Sequence, residues 1–411
     1  MKVCKAAGFL CMMVFFWFLG SACGPAKPDL PDIPKVERDQ LVQNNNQFAI
    51  NFFHQLRNKN KDGNVFFSPY SISTALAMTY AGAKGNTAKE MSKALQFSQE
   101  ANKLHTGFEW LLKDQNYRGQ LGNYQLAVAN KLWPAKTLSL LKSFTEGQEK
   151  HYSAKSELLD YGQAEQARST INKWVEDKTN NKIKNLLKPG SVSASTRLVL
   201  TNAIYFKGNW LTQFKKELTK DVDFQKADKK TVKVKMMYQQ SKLAYAEQDG
   251  WHVLGLPYQG KELSMYILLP KEKGTLGKKV GELNSDKLQA WLKATTERKV
   301  EIFLPRLKME PDTIQLKAEF NQLGMKEAFG SAADFSGMTG SKSLFIDDIH
   351  HKAFLEVNEE GSEAAAATAV VMKESAAPIL PIIRADHPFV LMIRDNTTGS
   401  ILFMGQVTDP S

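Results

Sequence analysis

The pattern of apolar residues changes once along the chain, near Val232, and this change limits the folds that the chain can adopt. Before it, residues 40–56 and 167–187 have helical spacing and predict amphipathic helices. After it, short apolar strands follow one another, and residues 389–393 and 401–407 predict a buried hairpin. Because the strands do not alternate regularly with helices, the sequence favours an α+β fold over a doubly wound α/β fold.

The first 22 residues have the pattern of a signal peptide. Lys2 and Lys5 precede an almost wholly apolar run, residues 9–19, which ends in small residues. That run is shorter than the ~20 apolar residues of a membrane span. An uncleaved anchor is the alternative. We therefore expect a secreted, extracellular protein, or a periplasmic or membrane-anchored one if the source is bacterial.

All three cysteines, Cys4, Cys11 and Cys23, lie in or directly beside this segment, so the folded body has no disulfide and no cysteine metal site. Cys23 follows small residues, as in the lipid-attachment site of bacterial lipoproteins. Membrane attachment through an N-terminal lipid is one hypothesis, and an ordinary secretory peptide with an incidental cysteine is the other. The Pro-rich residues 23–38 predict a stiff tether.

The net charge of +11 could attract anionic partners. The densest basic stretch, residues 215–235, alternates lysine with acidic residues and valine, which is typical of a solvated strand edge. No nucleic-acid-binding motif accompanies it, so we expect no nucleic-acid partner. The sequence has no Ser-His-Asp motif, phosphate loop or metal-ligand spacing. It therefore predicts no enzymatic activity, no cofactor and no metal.

Residues 358–369 are rich in small side chains, with four consecutive alanines after Ser362 and Glu363. A serine followed by alanines is typical of a capped helix start. Such a helix would have no apolar stripe with which to dock. A strand-like segment, residues 353–357, leads into this stretch. The small side chains therefore suit a tightly covered sheet as well as a helix.

Several segments together resemble the serpin family from about Leu41 to the C-terminus. The segments are NVFFSPYSIS at 64–73, TNAIYFKGNW at 201–210, HKAFLEVNEEGSEA at 351–364, and the hairpin motifs HPF at 387–389 and FMG at 403–405. The resemblance implies one domain, residues 39–411, of α+β class. It also implies three β-sheets, eight or nine helices, and an exposed reactive-centre loop at about residues 359–383.

The resemblance further implies a monomeric inhibitor that forms a covalent complex with a target serine protease. The protease attacks the loop and forms an acyl-enzyme, and the cut loop then inserts into the central sheet as an extra strand. The implied hinge residues are Glu359, Glu360, Gly361, Ser362, Glu363, Ala364, Ala365, Ala366, Ala367 and Thr368. Alternate small residues from Ser362 to Thr368 would face inward at little cost. The alternative is a non-inhibitory carrier or chaperone-type serpin, whose hinge tends to be bulky, charged or Pro-containing.

In inhibitory serpins the cut usually follows the seventeenth residue from the first hinge glutamate. Counting from Glu359 places it between Ser375 and Ala376, and a loop one residue longer or shorter would place it after Ala376 or Glu374. Small residues there suit an elastase-like or subtilisin-like target. Lys373 and Met372 leave trypsin-like and chymotrypsin-like targets as alternatives.

The resemblance also assigns residues that would hold the sheet closed before cleavage. Ser68, Ser71, Asn202 and His351 would form a hydrogen-bonded cluster beneath the sheet, called the shutter. Trp210 would lie at the top of the sheet, in the breach. His350, beside His351, is predicted to be exposed.

Overall fold

The computed structural model describes residues 25–98, 100–362 and 380–411. Its α-helices are α1 (Lys35–Lys59), α2 (Pro69–Tyr80), α3 (Gly85–Leu95), α4 (Ala101–Gln120), α5 (Lys142–Tyr152), α6 (Ala164–Lys178), α7 (Leu276–Val280), α8 (Ser285–Lys293), α9 (Lys317–Gln322) and α10 (Ser336–Thr339). Its strands are β1 (Val65–Phe67), β2 (Tyr124–Pro134), β3 (Leu198–Asn209), β4 (Lys220–Gln225), β5 (Thr231–Gln248), β6 (Trp251–Pro257), β7 (Leu263–Pro270), β8 (Thr296–Pro305), β9 (Leu307–Met309), β10 (Ile314–Gln315), β11 (Asp348–Val357), β12 (Gly361–Ser362), β13 (Ile382–Arg384), β14 (Phe389–Asp395) and β15 (Ile401–Val407). This mixture confirms the α+β class.

A nine-stranded sheet has the strand order β1-β15-β14-β7-β6-β5-β8-β13, with β4 also pairing with β5. Strand β5 is long enough to serve three partners in turn, β4 at its start, β8 in its middle and β6 at its end. Two sheets that might be counted separately are therefore continuous in hydrogen bonding. The described strands form two such networks, where three sheets were expected.

The second sheet has six strands, and β3 lies at its centre. β3 pairs antiparallel with β2 along eleven residues, parallel with β11, and at its end with the short β12. Alternate side chains of β3 are buried on both faces. Ile204 and Phe206 pack into the core shared with the nine-stranded sheet, while Ala203 and Tyr205 pack towards α6.

The predicted C-terminal hairpin is present as β14 and β15, which pair antiparallel. β15 also pairs with β1, and β14 pairs with β7, so the hairpin occupies an interior position in the nine-stranded sheet. Two expected helices differ in extent. The first begins five residues earlier, at Lys35, and α6 ends at Lys178 instead of near residue 187. Asn180 and Asn181 follow in the left-handed conformation, which ends the helix.

The predicted tether overlaps the folded body. Leu30 packs against the core and Ile33 is buried in it, while residues 35–38 are helical. The tether is therefore part of the folded body from Leu30 onwards. Among the described residues, no helix is long and apolar enough to cross a membrane. Residues 1–22 and Cys23, the predicted signal peptide and lipid-attachment site, lie outside the described residues.

Candidate functional site: the hinge and the shutter

The first residues of the predicted reactive-centre loop already belong to the six-stranded sheet. Gly361 and Ser362 form β12, which pairs with Asn209 and Gly208 at the end of β3. The approach is so close that a Cβ atom on Gly361 would lie 2.1 Å from the carbonyl oxygen of Gly208. Only glycine fits this position.

Ser362 is fully buried, and its hydroxyl lies 2.8 Å from the hydroxyl of Tyr258. The ring of Tyr258 stacks on Trp210, with the ring centroids 4.6 Å apart. Burial raises the pKa of the Tyr258 hydroxyl, so it stays protonated and can donate to Ser362. The side chain that enters the sheet first is thus fixed by a buried partner.

Trp210 joins the end of β3 to the segment that precedes β12. Its indole Nε1 donates to the carbonyl of Asn358 at 2.9 Å, and its backbone N–H donates to the carbonyl of Glu360 at 2.9 Å. Phe214 binds the same segment, since its backbone N–H donates to the carbonyl of Glu359 at 2.8 Å. Two hydrogen bonds therefore hold the hinge backbone at the breach, and a third holds Asn358, the residue that precedes it.

Both hinge glutamates in the described part of the chain, Glu359 and Glu360, have a cationic partner. Glu359 is 2% exposed, and Arg306 Nε donates to its two oxygens at 2.8 and 2.9 Å. The hydroxyl of Thr219 donates to the same carboxylate at 2.5 Å. Burial opposes ionisation, but these donors outweigh it and hold the pKa of Glu359 below its usual value. Glu360 forms an ion pair with Lys216.

The structure brings the four predicted shutter residues together. The backbone N–H of Ser68 donates to His351 Nε2 at 3.1 Å, so the ring carries its proton on Nδ1 and donates to Asn202 Oδ1. The amide of Asn202 donates to Ser71 Oγ at 2.7 Å. Burial lowers the pKa of His351 to about 3. This network needs the neutral imidazole, because a second ring proton would face the Ser68 N–H.

Sequence reasoning missed Asn130, on β2, which completes the shutter. Its Oδ1 accepts from Ser71 Oγ at 3.1 Å and from Asn202 Nδ2 at 2.6 Å. Its own amide donates to the Ser71 carbonyl at 3.2 Å. A lone amide in the strand Val128-Ala129-Asn130 was the available signal, since buried polar side chains are usually hydrogen-bonded.

The expectation that His350 is exposed is wrong. His350 is 3% exposed. It lies on an interior strand, where it pairs with Thr201 of β3 and Gln315 of β10. Burial lowers the pKa of this imidazole as well.

The remaining predicted site residues lie outside the described part of the chain. They are Glu363, Ala364, Ala365, Ala366, Ala367 and Thr368 of the hinge, and Ser375 and Ala376 of the predicted reactive bond. Among the described residues, no group of three or more His, Cys, Asp or Glu side chains could hold a metal ion.

Comparisons with known proteins agree with this geometry. The family described as "Serpin (serine protease inhibitor)" matches residues 43–410. The human leukocyte elastase inhibitor is 44% identical over 384 residues, which cover 90% of this chain and all of that protein.

Solved structures agree as well. Human thyroxine-binding globulin in complex with thyroxine has a TM-score of 0.83 and 30% identity, covering 91% of this chain and all of the other. Serpin48 of the insect Tenebrio molitor has a TM-score of 0.82 and 32% identity, covering 93% of this chain and all of that one. Together with the geometry of the hinge and the shutter, these similarities show that the chain belongs to the serpin family.

Proposed function

We propose that this serpin inhibits serine proteases as a suicide substrate, through loop cleavage, acyl-enzyme trapping and strand insertion. The observation that carries the proposal is β12. Gly361 and Ser362 already pair with β3, at the end of the sheet where an inserting strand would enter. The chain that follows continues with Glu363 and four alanines, and the alternate residues facing inward are small.

Full insertion must separate β3 from β11, which pair in parallel from Asp348 to Phe354. The shutter spans this seam, since His351 of β11 binds Asn202 of β3. Each inserted residue regains ladder hydrogen bonds worth ~1 kcal/mol net. A strand of about a dozen residues would therefore more than replace the lost pairing and leave free energy to distort the trapped protease.

We propose an elastase-like or subtilisin-like target. Ser375 and Ala376 are small enough for a shallow specificity pocket, and the relative named leukocyte elastase inhibitor supports the same class. A trypsin-like or chymotrypsin-like enzyme, acting at Lys373 or Met372, is the alternative.

The direct test incubates the protein with pancreatic elastase, subtilisin, trypsin and chymotrypsin in turn. We expect a denaturant-resistant covalent complex with at least one small-pocket enzyme. Mass spectrometry of the released C-terminal peptide then identifies the cut bond. If every enzyme cleaves the loop and departs active, the inhibitor proposal fails.

Ala366→Arg tests strand insertion, with Ala365→Arg as its matched control. Ala366 is predicted to turn into the sheet and Ala365 to face solvent. We expect Ala366→Arg to convert the inhibitor into a substrate, because a buried unpaired charge opposes insertion, and Ala365→Arg to retain inhibition. Equal inhibition by both variants would contradict insertion in this register.

A non-inhibitory carrier is the second candidate, because thyroxine-binding globulin is structurally similar. Loop cleavage separates the two classes. An inserted loop should raise the thermal unfolding midpoint markedly, whereas a carrier that does not insert should show no rise.

We further propose that residues 1–22 direct secretion and are removed, leaving one inhibitor domain whose folded body includes Ile33 and all of α1. N-terminal sequencing of the secreted protein tests the cleavage. Detergent partitioning of the wild type against Cys23→Ser tests the lipid. Partitioning into the aqueous phase by both proteins would exclude a lipoprotein.

A further inference from the structure

A pair of histidines lies where the last turn of α5 packs on α4, and neither the hinge nor the shutter uses them. His105 of α4 is 8% exposed, and its Nδ1 lies 2.6 Å from the hydroxyl of Tyr152. His151 of α5 donates from Nδ1 to the Glu109 carboxylate at 2.9 Å. The two imidazole centroids lie 6.1 Å apart. We propose that these four residues form an acid-sensitive latch, which docks the end of α5 on α4 while both imidazoles are neutral and releases it when they are protonated.

The carboxylate partner of His151 is shared with a lysine. Glu109 also accepts from Lys113 Nζ at 2.8 Å. Burial opposes ionisation of Glu109, but its two donors outweigh burial and hold its pKa below the usual value, so it stays ionised in mild acid. Burial lowers the pKa of His151, and Lys113 and Lys150 also oppose a positive charge there. The lost hydration therefore outweighs what the shared carboxylate returns.

His105 lies among groups that do not compensate a positive charge. Its ring contacts the ring of Tyr152 and that of Tyr80 on α2, with centroids 5.9 and 6.2 Å away. Burial raises the pKa of both phenols, so both stay protonated and neutral. The titrating neighbour is His151, which would repel a proton on His105. Burial and this repulsion together lower the pKa of His105 to about 4.

The direction of the pH effect follows from these shifts. A histidine in the unfolded chain has a pKa of about 6.5, and both imidazoles have a lower pKa in the folded chain. Their contribution to docking is therefore complete above about pH 6.5 and is lost as the pH falls towards 4. For His105 alone, the equilibrium constant for release should rise roughly 25-fold between pH 7.5 and pH 5.0. His151 adds to this factor.

Release should be confined to the last turn, because the rest of α5 is held by contacts that do not titrate. Gln148 Nε2 donates to the carbonyl of Met78 at 2.9 Å, and Phe144 is buried in the core. Beyond Gln148, the ring of Tyr152 packs on Phe108, with centroids 6.2 Å apart. Release would uncover Phe108 and create an apolar surface that is present only in acid. The latch would operate whether or not the protein inhibits proteases.

Hydrogen exchange followed by mass spectrometry at pH 7.5 and pH 5.0 tests the latch in the full chain. After correction for intrinsic rates, we expect the amides of residues 149–153 to lose protection at least about 20-fold at pH 5.0. The double variant His105→Gln/His151→Gln keeps side chains that can hydrogen-bond but do not titrate, and its protection should change less than about three-fold. The matched control is His54→Gln on α1, where the ring donates to the Leu283 carbonyl. This control should keep the wild-type response.

Histidine NMR titration of the wild type gives a second measurement that does not depend on hydrogen exchange. We expect midpoints below about 6.5 for both His105 and His151. Equal protection of residues 149–153 at the two pH values, or a full acid response in a folded double variant, would overturn the latch. Loss of the response in His54→Gln would overturn it as well. If the double variant does not fold, the NMR midpoints decide, and midpoints at or above about 6.5 refute the proposal.

Discussion

Gly361→Ala tests whether the hinge is held in the sheet by a close backbone approach. The added Cβ would lie 2.1 Å from the Gly208 carbonyl oxygen and 2.6 Å from Asn209 Cα, both backbone atoms that cannot turn aside. The variant must therefore release β12 from β3. Its release gives up the bond between the Ser362 and Tyr258 hydroxyls and the bond from the Trp210 N–H.

The expected magnitude differs between local and global measurements. About three hydrogen bonds at ~1 kcal/mol each are lost. Two residues regain backbone freedom worth ~1 kcal/mol each. The global free energy of unfolding should therefore fall by only about 1 kcal/mol, whereas amide protection at the breach should largely disappear.

Hydrogen exchange followed by mass spectrometry measures this local effect. We expect peptides containing the Trp210 amide to exchange at least about ten-fold faster in the variant, since 1.4 kcal/mol corresponds to a factor of ten. The control is Gly147→Ala in α5, where nothing lies within 4 Å of the added Cβ. That change should slightly stabilise the helix. If the Trp210 amide exchanges at the wild-type rate in the Gly361→Ala variant, the close approach of Gly361 to β3 does not hold the hinge in place.

Three further predictions concern the buried polar groups. Arg306→Met should lower the unfolding free energy by roughly 2 kcal/mol, because the Glu359 carboxylate loses its cation. The loss should be smaller in a Glu359→Gln background, and strict additivity in urea titrations would contradict the pairing. Asn130→Ala should cost ~1–3 kcal/mol by leaving shutter groups unsatisfied. The exposed Asn116→Ala should stay within ~0.5 kcal/mol, so similar losses in the two variants would remove Asn130 from the shutter. His351 has a pKa of about 3 in the folded chain, below its unfolded value, so its contribution to stability is complete above about pH 6.5. That contribution to the unfolding free energy is lost as the pH falls from about 6.5 to about 3, by up to ~1.4 kcal/mol per pH unit. His351→Gln should weaken the dependence of the unfolding free energy on pH. An unchanged dependence in this variant would assign the effect to other titrating groups.

Local patterns foretold part of this site. The hairpin β14–β15 was predicted from two apolar runs joined by polar residues. The hinge was implied by the resemblance to the serpins, since the run of small residues by itself suited a helix as well as a strand. The partners of the hinge could not be inferred this way. Arg306 and Tyr258 lie 53 and 104 residues from the groups they bind, and nothing in their own neighbourhoods marks them. The end of α6 was missed because the asparagines that terminate it resemble an exposed helical turn.

The interior position of β15 has a consequence for how the chain is made. β15 pairs Met404, Gly405 and Gln406 with Phe67, Phe66 and Val65, so residues near opposite ends of the sequence are neighbours. The Ser68 hydroxyl likewise donates to the carbonyl of Leu402, 334 residues away. Pairings at such separations form slowly, and a nascent chain cannot form them until β15 has left the ribosome. The helices that precede β2 must therefore wait, with their apolar faces incompletely covered, until β15 has been synthesised.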